Sequence, residues 1–273
     1  KVSLFMLSMN LTVGILSAIT APKLARLSDR YGRRRLMAIA SIGGIISEAI
    51  TIIAAKFPNS VDYRVLIIGS IFDGLAGSFT LGSILSQAYT SDCTVPSKRS
   101  VYIGYIHACL FTGLALGPLL AGYVVKWTGG LLSIFYIVLG CHITFALFIG
   151  FVVPESLSAR RQLLAQEKHR KEQEDCPERN GTWLSSLRSS NPFEPLHILW
   201  PRHNGTSKKL RVNLVALAAM DTIIMGSMMA AGAVVMLYTK FLFHWENFEL
   251  SIFVSALSSV RVIILLGIFP IVN

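Results

Sequence analysis

Seven stretches of this chain run for about twenty residues or more with almost no charge: residues 2–21, 36–57, 65–89, 101–125, 131–153, 212–238 and 250–272. A helix rises 1.5 Å per residue, so about 20 apolar residues cross the roughly 30 Å hydrocarbon core of a bilayer. A soluble all-helical protein would show polar faces at a 3.6-residue period on most of its helices, and these stretches lack them. The pattern predicts an all-α, polytopic membrane protein with seven spans. Residues 154–211 form the only extended polar region. Its first part, residues 156–175, is rich in Arg, Gln, Glu and Lys and predicts a surface helix. The remainder carries Pro177, Asn180, Gly181, Pro192, Pro195 and Pro201 and predicts loop. Five spans precede this region and two follow it, so it reads as a link between two bundles: residues 1–153, and the start of a second bundle at 212–273.

Composition agrees with a membrane. The 273 residues are 53% hydrophobic and 15% charged, with a mean hydropathy of +0.58; a soluble domain is typically about 25% charged. The net charge of +10 would by itself suggest a polyanionic partner. Its placement gives another meaning, because 19 of the 25 Lys and Arg residues lie in residues 22–35, 90–100 and 154–211, which alternate onto one side of the membrane. Basic loops mark the cytoplasmic face and make contact with anionic lipid, so no nucleic-acid partner is expected. Trp127 and Trp245 at outer ends and Trp200 before the sixth span suit interfacial anchors. The four cysteines are scattered without metal-ligand spacing, so neither a disulfide framework nor a zinc site is expected. The first apolar run is too long for a signal peptide and reads as a spanning helix that has lost whatever preceded it.

Two strings carry more than topology. The first runs Ala25, Arg26, Leu27, Ser28, Asp29, Arg30, Tyr31, Gly32, Arg33, Arg34 between the first two spans. Gly32 permits a tight turn, and Asp29 can cap a helix start and pair with Arg. The second is Gly104, Gly113, Gly117, Pro118, Ala121 and Gly122 in the fourth span, where small residues four apart give a face for close helix packing. The first string resembles the G-x-x-x-D-R-x-G-R-R signature of the major facilitator superfamily, with Ala25 in place of its first Gly. The second is similar to the helix 5 motif of the family's drug–proton antiporters, with Ala121-Gly122 where Gly-Gly is usual. Pro154, Glu155 and Ser156 resemble the close of the family's sixth helix. The resemblance numbers the spans as helices 2 to 8 of twelve, so a partial major facilitator fold is expected. Asp73-Gly74, with Ser91, Asp92 and Arg99 after it, looks more like fungal members and the proton-coupled folate transporter group than like bacterial exporters, many of which carry an Arg where Ser70 stands.

Four ionisable residues lie about 15 Å deep: Glu48, Asp73, Asp221 and Arg261. Each costs about 2.5–3.5 kcal/mol to insert, so pairing, protonation or a wet cavity must compensate. On a helical wheel Ser70, Gly77, Thr80 and Gln87 share the face of Asp73 in a polar stripe. Asp221 shares its face with Met225, Met228, Gly232 and Thr239, while Ser3, Asn10, Gly14 and Ser17 make a weaker stripe in the first span. The family resemblance implies that Asp73 and Asp221 face a central cavity, with Arg261 at its side and Glu48 peripheral. A structural hydrogen bond or ion pair is the competing account of each charge, and His107 and His142 read as structural.

These features predict a secondary transporter moving a small solute by proton-coupled alternating access, with efflux favoured by the helix 5 motif and uptake symport left open by Asp73-Gly74. Asp73, Asp221, Arg261, Ser70, Gln87 and Asn10 are the candidate substrate or proton residues. Asp29, Arg30, Gly32, Arg33 and Arg34 form the candidate gating loop. A monomer in the plasma or vacuolar membrane, without cofactor or metal, is expected. No metal-ligand cluster, phosphate-cradling loop or nucleophile elbow points to an enzyme. A seven-helix receptor is a distant alternative, since Asp29-Arg30-Tyr31 follows the first span and not the third.

Overall fold

A computed structural model describes residues 2–174, 208–245 and 247–272. Their regular structure is entirely helical: α1 (Val2–Tyr31), α2 (Arg33–Lys56), α3 (Val65–Leu75), α4 (Ser78–Cys93), a single 3-10 turn (Pro96–Lys98), α5 (Arg99–Thr128), α6 (Leu132–Phe151), α7 (Ala159–Glu174), α8 (Lys208–Leu242), and α9 (Asn247–Ile263), which runs through a π-helical turn (Ile264–Ile268) into α10 (Phe269–Val272). Seven spans among the described residues are long and apolar enough to cross a membrane. The third of them, Val65–Cys93, is made of two helices, α3 and α4, where the sequence predicts one. The polar helix expected at 156–175 is α7. Trp200 and the Pro-rich half of the link lie outside the described residues.

The chain divides into two compact units, residues 1–172 with 254–273, and residues 173–253. In the first unit α3 packs along both α1 and α2, and α2 also packs along α6. The deepest contacts join Ala21, Leu36, Leu81 and Leu85, with Leu24, Ala25, Leu27, Met37 and Ala40 around them. This core adjoins the basic segment 22–35, which the sequence reads as a loop and which is helical in the structure except at Gly32. Large apolar side chains such as Leu4, Leu120 and Phe151 are exposed on the outer faces of the spans. That is the inverse of a soluble protein and suits contact with lipid, whose tails leave no hydrophobic penalty for outward-facing Leu or Phe.

Glycine permits the tightest crossing. A Cβ built at Gly43 on α2 would collide with the Cβ of Ala76, and one at Gly74 would lie 2.8 Å from the Leu16 Cβ and 3.2 Å from the Val13 Cα on α1. The chain between α3 and α4 is thus wedged between α1 and α2. On α5, a Cβ built at Gly104 would lie 3.0 Å from the ring of Phe269, whereas one at Gly113 or Gly117 would meet nothing within 4 Å. The close-packing face expected of the second motif therefore has Gly104 engaged, and nothing packs on Gly113 or Gly117 among the described residues. In the second unit α8 carries Asp221 at its middle, and Trp245 joins Phe243 and Phe253 with both ring centroids 5.7 Å away.

Candidate functional site

Two polar constellations stand out in the first unit. The first lies at the end that carries the basic segment 22–35, where α1 stops and α2 begins. Gly32 takes φ +102° and ψ 145°, a backbone region that only glycine enters readily, and this lets α2 start one residue after α1 ends. The free amides at the start of α2 meet Glu155, from the segment after α6. Its carboxylate accepts the backbone N–H of Arg33 at 2.8 Å and of Arg34 at 3.3 Å. A carboxylate on a helix N-terminus satisfies unpaired donors and the positive end of the helix dipole. The sequence assigned this capping to Asp29. The structure gives it to Glu155, while Asp29 makes the other contact expected of it, pairing with the Arg33 guanidinium at 2.7 Å.

Arg33 is the hub of this constellation. Besides Asp29, its guanidinium donates to Asp92 Oδ2 at the end of α4, 3.1 Å away, and to Ser28 Oγ at 2.8 Å. The side chains of Arg33 and Asp92 are each 13% exposed. Arg161 on α7 reaches the other oxygen of Asp92 at 3.6 Å, Gln166 donates to the Arg30 carbonyl at 2.9 Å, and Tyr89 donates to the Pro154 carbonyl at 3.0 Å. The Arg34 guanidinium donates to the Gly150 carbonyl at the end of α6. The planar fork of an arginine can serve several acceptors at once, which a lysine cannot. Through it α1, α2, α4, α6 and α7 are tied at one face.

The second constellation is near the middle of the third span, Val65–Cys93. α3 ends at Leu75, and Gly77 adopts φ +87° and Ser78 φ +48° before α4 begins. The Gly74 carbonyl is held by its own turn, through the Gly77 N–H at 3.0 Å, and by the Thr20 hydroxyl of α1 at 2.8 Å. Ser78 Oγ donates to Asp73 Oδ2 at 2.8 Å, so the carboxylate at the end of α3 grips the first residue of α4. Beside the break lies a cavity of about 530 Å³, lined by Asp73 and Ser78 together with Glu48, His107 and His142. A volume of several hundred Å³ with a few polar groups among apolar ones is in the range of small-molecule sites.

The sequence-predicted residues divide between these places. Asp29, Gly32, Arg33 and Arg34 converge at the end where α1 meets α2, joined by the main chain of Arg30. Asp73 stands at the break. Ser70 is buried and turned to its own helix, donating to the Leu66 carbonyl at 3.1 Å, and Gln87 donates to Ser83 Oγ at 3.2 Å. Asn10 is exposed on α1. Arg261 places its guanidinium 5.0 Å from the centroid of the Phe111 ring, a cation–π contact and not an ion pair. Asp221 is exposed on α8 in the other unit. Sequence reasoning treated Glu48, His107 and His142 separately, since helical wheels of separate spans cannot bring them together; the structure places them around one cavity with Asp73. Sequence reasoning also gave Asp92 and Glu155 no role. A signal was present: Asp29 and Asp92 are the sole acidic residues of their otherwise basic cytoplasmic loops.

Comparison with known proteins bears on the same residues. Residues 1–271 match the Major Facilitator Superfamily. The chain belongs to that family. An MFS-type transporter, avaJ, of Aspergillus versicolor is 27% identical over 259 residues, covering 94% of this chain and 48% of that protein. Multidrug resistance protein 2 of Bacillus subtilis is 28% identical over 152 residues (55% and 36% of the two chains), and the class H tetracycline resistance protein of Pasteurella multocida 33% over 107 residues (39% and 24%). The chain spans about half the length of the fungal transporter it matches. As a member of the superfamily it is an integral, multi-pass membrane protein, and the superfamily handles small-molecule substrates.

Proposed function

We propose that this chain forms part of a proton-coupled secondary transporter that exports a small solute by alternating access, with Asp73 as the proton-carrying group. The observation that carries this reading is the position of Asp73: a carboxylate at the middle of its span, beside a cavity with a few polar groups among apolar ones, bonded across a break in that span. Discontinuous membrane helices place their freed ends at substrate and ion sites near the midplane, where bundles rock about a fixed centre. The Arg33 constellation is the complementary part, a latch at the cytoplasmic face whose ion pairs hold one state of the cycle. Two relatives are named for resistance to drugs, which favours export as the direction.

Everted vesicles carrying the full chain, acidified inside and loaded with a pH-sensitive dye, test this reading. Tetracycline and ethidium serve as probes. Added solute should release protons from the lumen, and Asp73→Asn should remove that release while leaving expression intact. Solute movement with no proton release, or an undiminished release in Asp73→Asn, overturns the assignment. Solute leaving the vesicles together with protons reverses the direction to symport.

A further inference from the structure

We infer that the break between α3 and α4 is a proton-operated hinge, in which the Asp73–Ser78 bond holds the span bent and its loss lets residues 76–78 rewind into one continuous helix. The inference rests on the transport reading above for its purpose, but its structural basis is separate. Three features make the break a held conformation and not a defect. Ser78 has φ +48°, a left-handed conformation that costs a non-glycine residue about 1–2 kcal/mol, so something must compensate. The Asp73 carboxylate does so twice: it accepts the Ser78 hydroxyl, and it sits at the start of α4, where backbone donors and the positive dipole end favour a negative charge. The pivot itself is fixed, because Thr20 holds the Gly74 carbonyl and Ala76 is seated against Gly43.

Protonation of Asp73 removes the negative charge that the start of α4 favours. What then remains is the conformational cost at Ser78 and the backbone bonds that a continuous helix would regain. A proton arriving at Asp73 therefore shifts the balance toward the straight span. The cavity supplies a route for that proton, since Asp73 and Ser78 both line it. The other titratable groups lining it are Glu48 on α2, His107 on α5 and His142 on α6; α4 brings only serines, Phe79 and Gly82, and the α1 residues in contact with Gly74 are Val13, Leu16 and Thr20. No lysine or arginine lines the cavity. Ser78 is thus a positioning residue that converts the charge on Asp73 into a helix conformation.

Spin labels at Ile68 and Ile84, on either side of the break and both exposed, report the span directly. Their sixteen residues of separation correspond to about 24 Å in a straight helix. In the full chain on a cysteine-free background, lowering the pH from 8 to about 3.5, below the ordinary range of carboxylates, should move the distance distribution toward the straight-helix value. Asp73→Asn should show that distribution at both pH values, Ser78→Ala should shift part of the population toward it at pH 8, and Glu48→Gln should respond as the wild type does. A wild-type distribution that does not change with pH overturns the hinge, as does a preserved pH response in Asp73→Asn or a lost one in Glu48→Gln. Proton release measured on the same protein separates the two ideas. Coupled transport with a static span removes the hinge alone, and a pH-driven span without coupled transport removes the transport reading alone.

Discussion

Gly32 and Gly77 interrupt the first unit in the same way and are locked differently. Each has a positive φ, each separates two helices that follow almost without a connection, and each next helix begins beside a carboxylate. At Gly32 that carboxylate is Glu155, brought from a segment distant in sequence and bound to two backbone amides. At Gly77 it is Asp73, from the preceding turn, accepting one hydroxyl. The first joint is tied to distant elements and stiffened by Arg33. The second depends on a local bond that a single proton can weaken. A shared device thus yields a clamp at the membrane surface and a releasable joint at its centre, and the deciding variable is how many independent partners hold the carboxylate.

The largest effect is expected from removing the hub of the clamp. Arg33→Ala leaves Asp92, 13% exposed, with the longer contacts to Arg161 and to the Ser156 hydroxyl, and takes the Arg33 guanidinium from Asp29. Stripping one partner from a buried ion pair costs about 3–5 kcal/mol. The thermal midpoint followed by fluorescence-detected size exclusion should fall sharply, and Arg33→Lys should recover only part of the loss because an ammonium cannot serve three acceptors in a plane. A midpoint equal to the wild type in Arg33→Ala would show that the constellation carries no stability and that the surface joint is no stiffer than the central one.

A smaller loss is expected from Gly32→Ala. The conformation at Gly32 costs any other residue about 1–3 kcal/mol, and the added methyl would press on the Glu155 carboxylate. The two effects can be separated by a cycle. In a Glu155→Ala background the same substitution should cost less, since the steric part is gone and the backbone part remains. Equal costs in both backgrounds would mean that Glu155 yields freely, which is incompatible with a rigid clamp.

The difference between the joints also explains what the sequence made legible. Gly32 could be anticipated as a turn, because it lies between two apolar runs in a string dense with Arg and Asp. Gly77 could not, because Phe72 to Leu81 is apolar enough to read straight through and Asp73-Gly74 is as easily placed in a helix as at its end. Hydropathy reports whether a segment crosses the membrane and says little about its continuity. Partnerships across the bundle were equally hidden. Glu155 lies 122 residues from Arg33, and no periodicity links them. Where partners were local, as with Asp29 and Arg33 four residues apart, the pairing was readable from spacing alone. The cavity shows the same limit: Glu48, Asp73, His107 and His142 come from four different helices, so each looked isolated in its own span.

Gly77→Ala gives the smallest expected change in stability and the most informative one. In the bent span the methyl must be carried at φ +87°, which costs about 1–2 kcal/mol, and it would also press on the buried Leu81 side chain. If the joint were as fixed as Gly32, the whole penalty would appear as lost stability. If the span can straighten, the penalty falls on the bent form alone, and the protein escapes part of it by rewinding. A penalty of about 1.4 kcal/mol is a tenfold change in the ratio of the two forms. Gly77→Ala should therefore lose less midpoint than Gly32→Ala and, at pH 8, should move the distance between labels at positions 68 and 84 toward the straight-helix value. A full stability loss with an unmoved distance would make the two joints equivalent, and the contrast between a clamp and a hinge would fail.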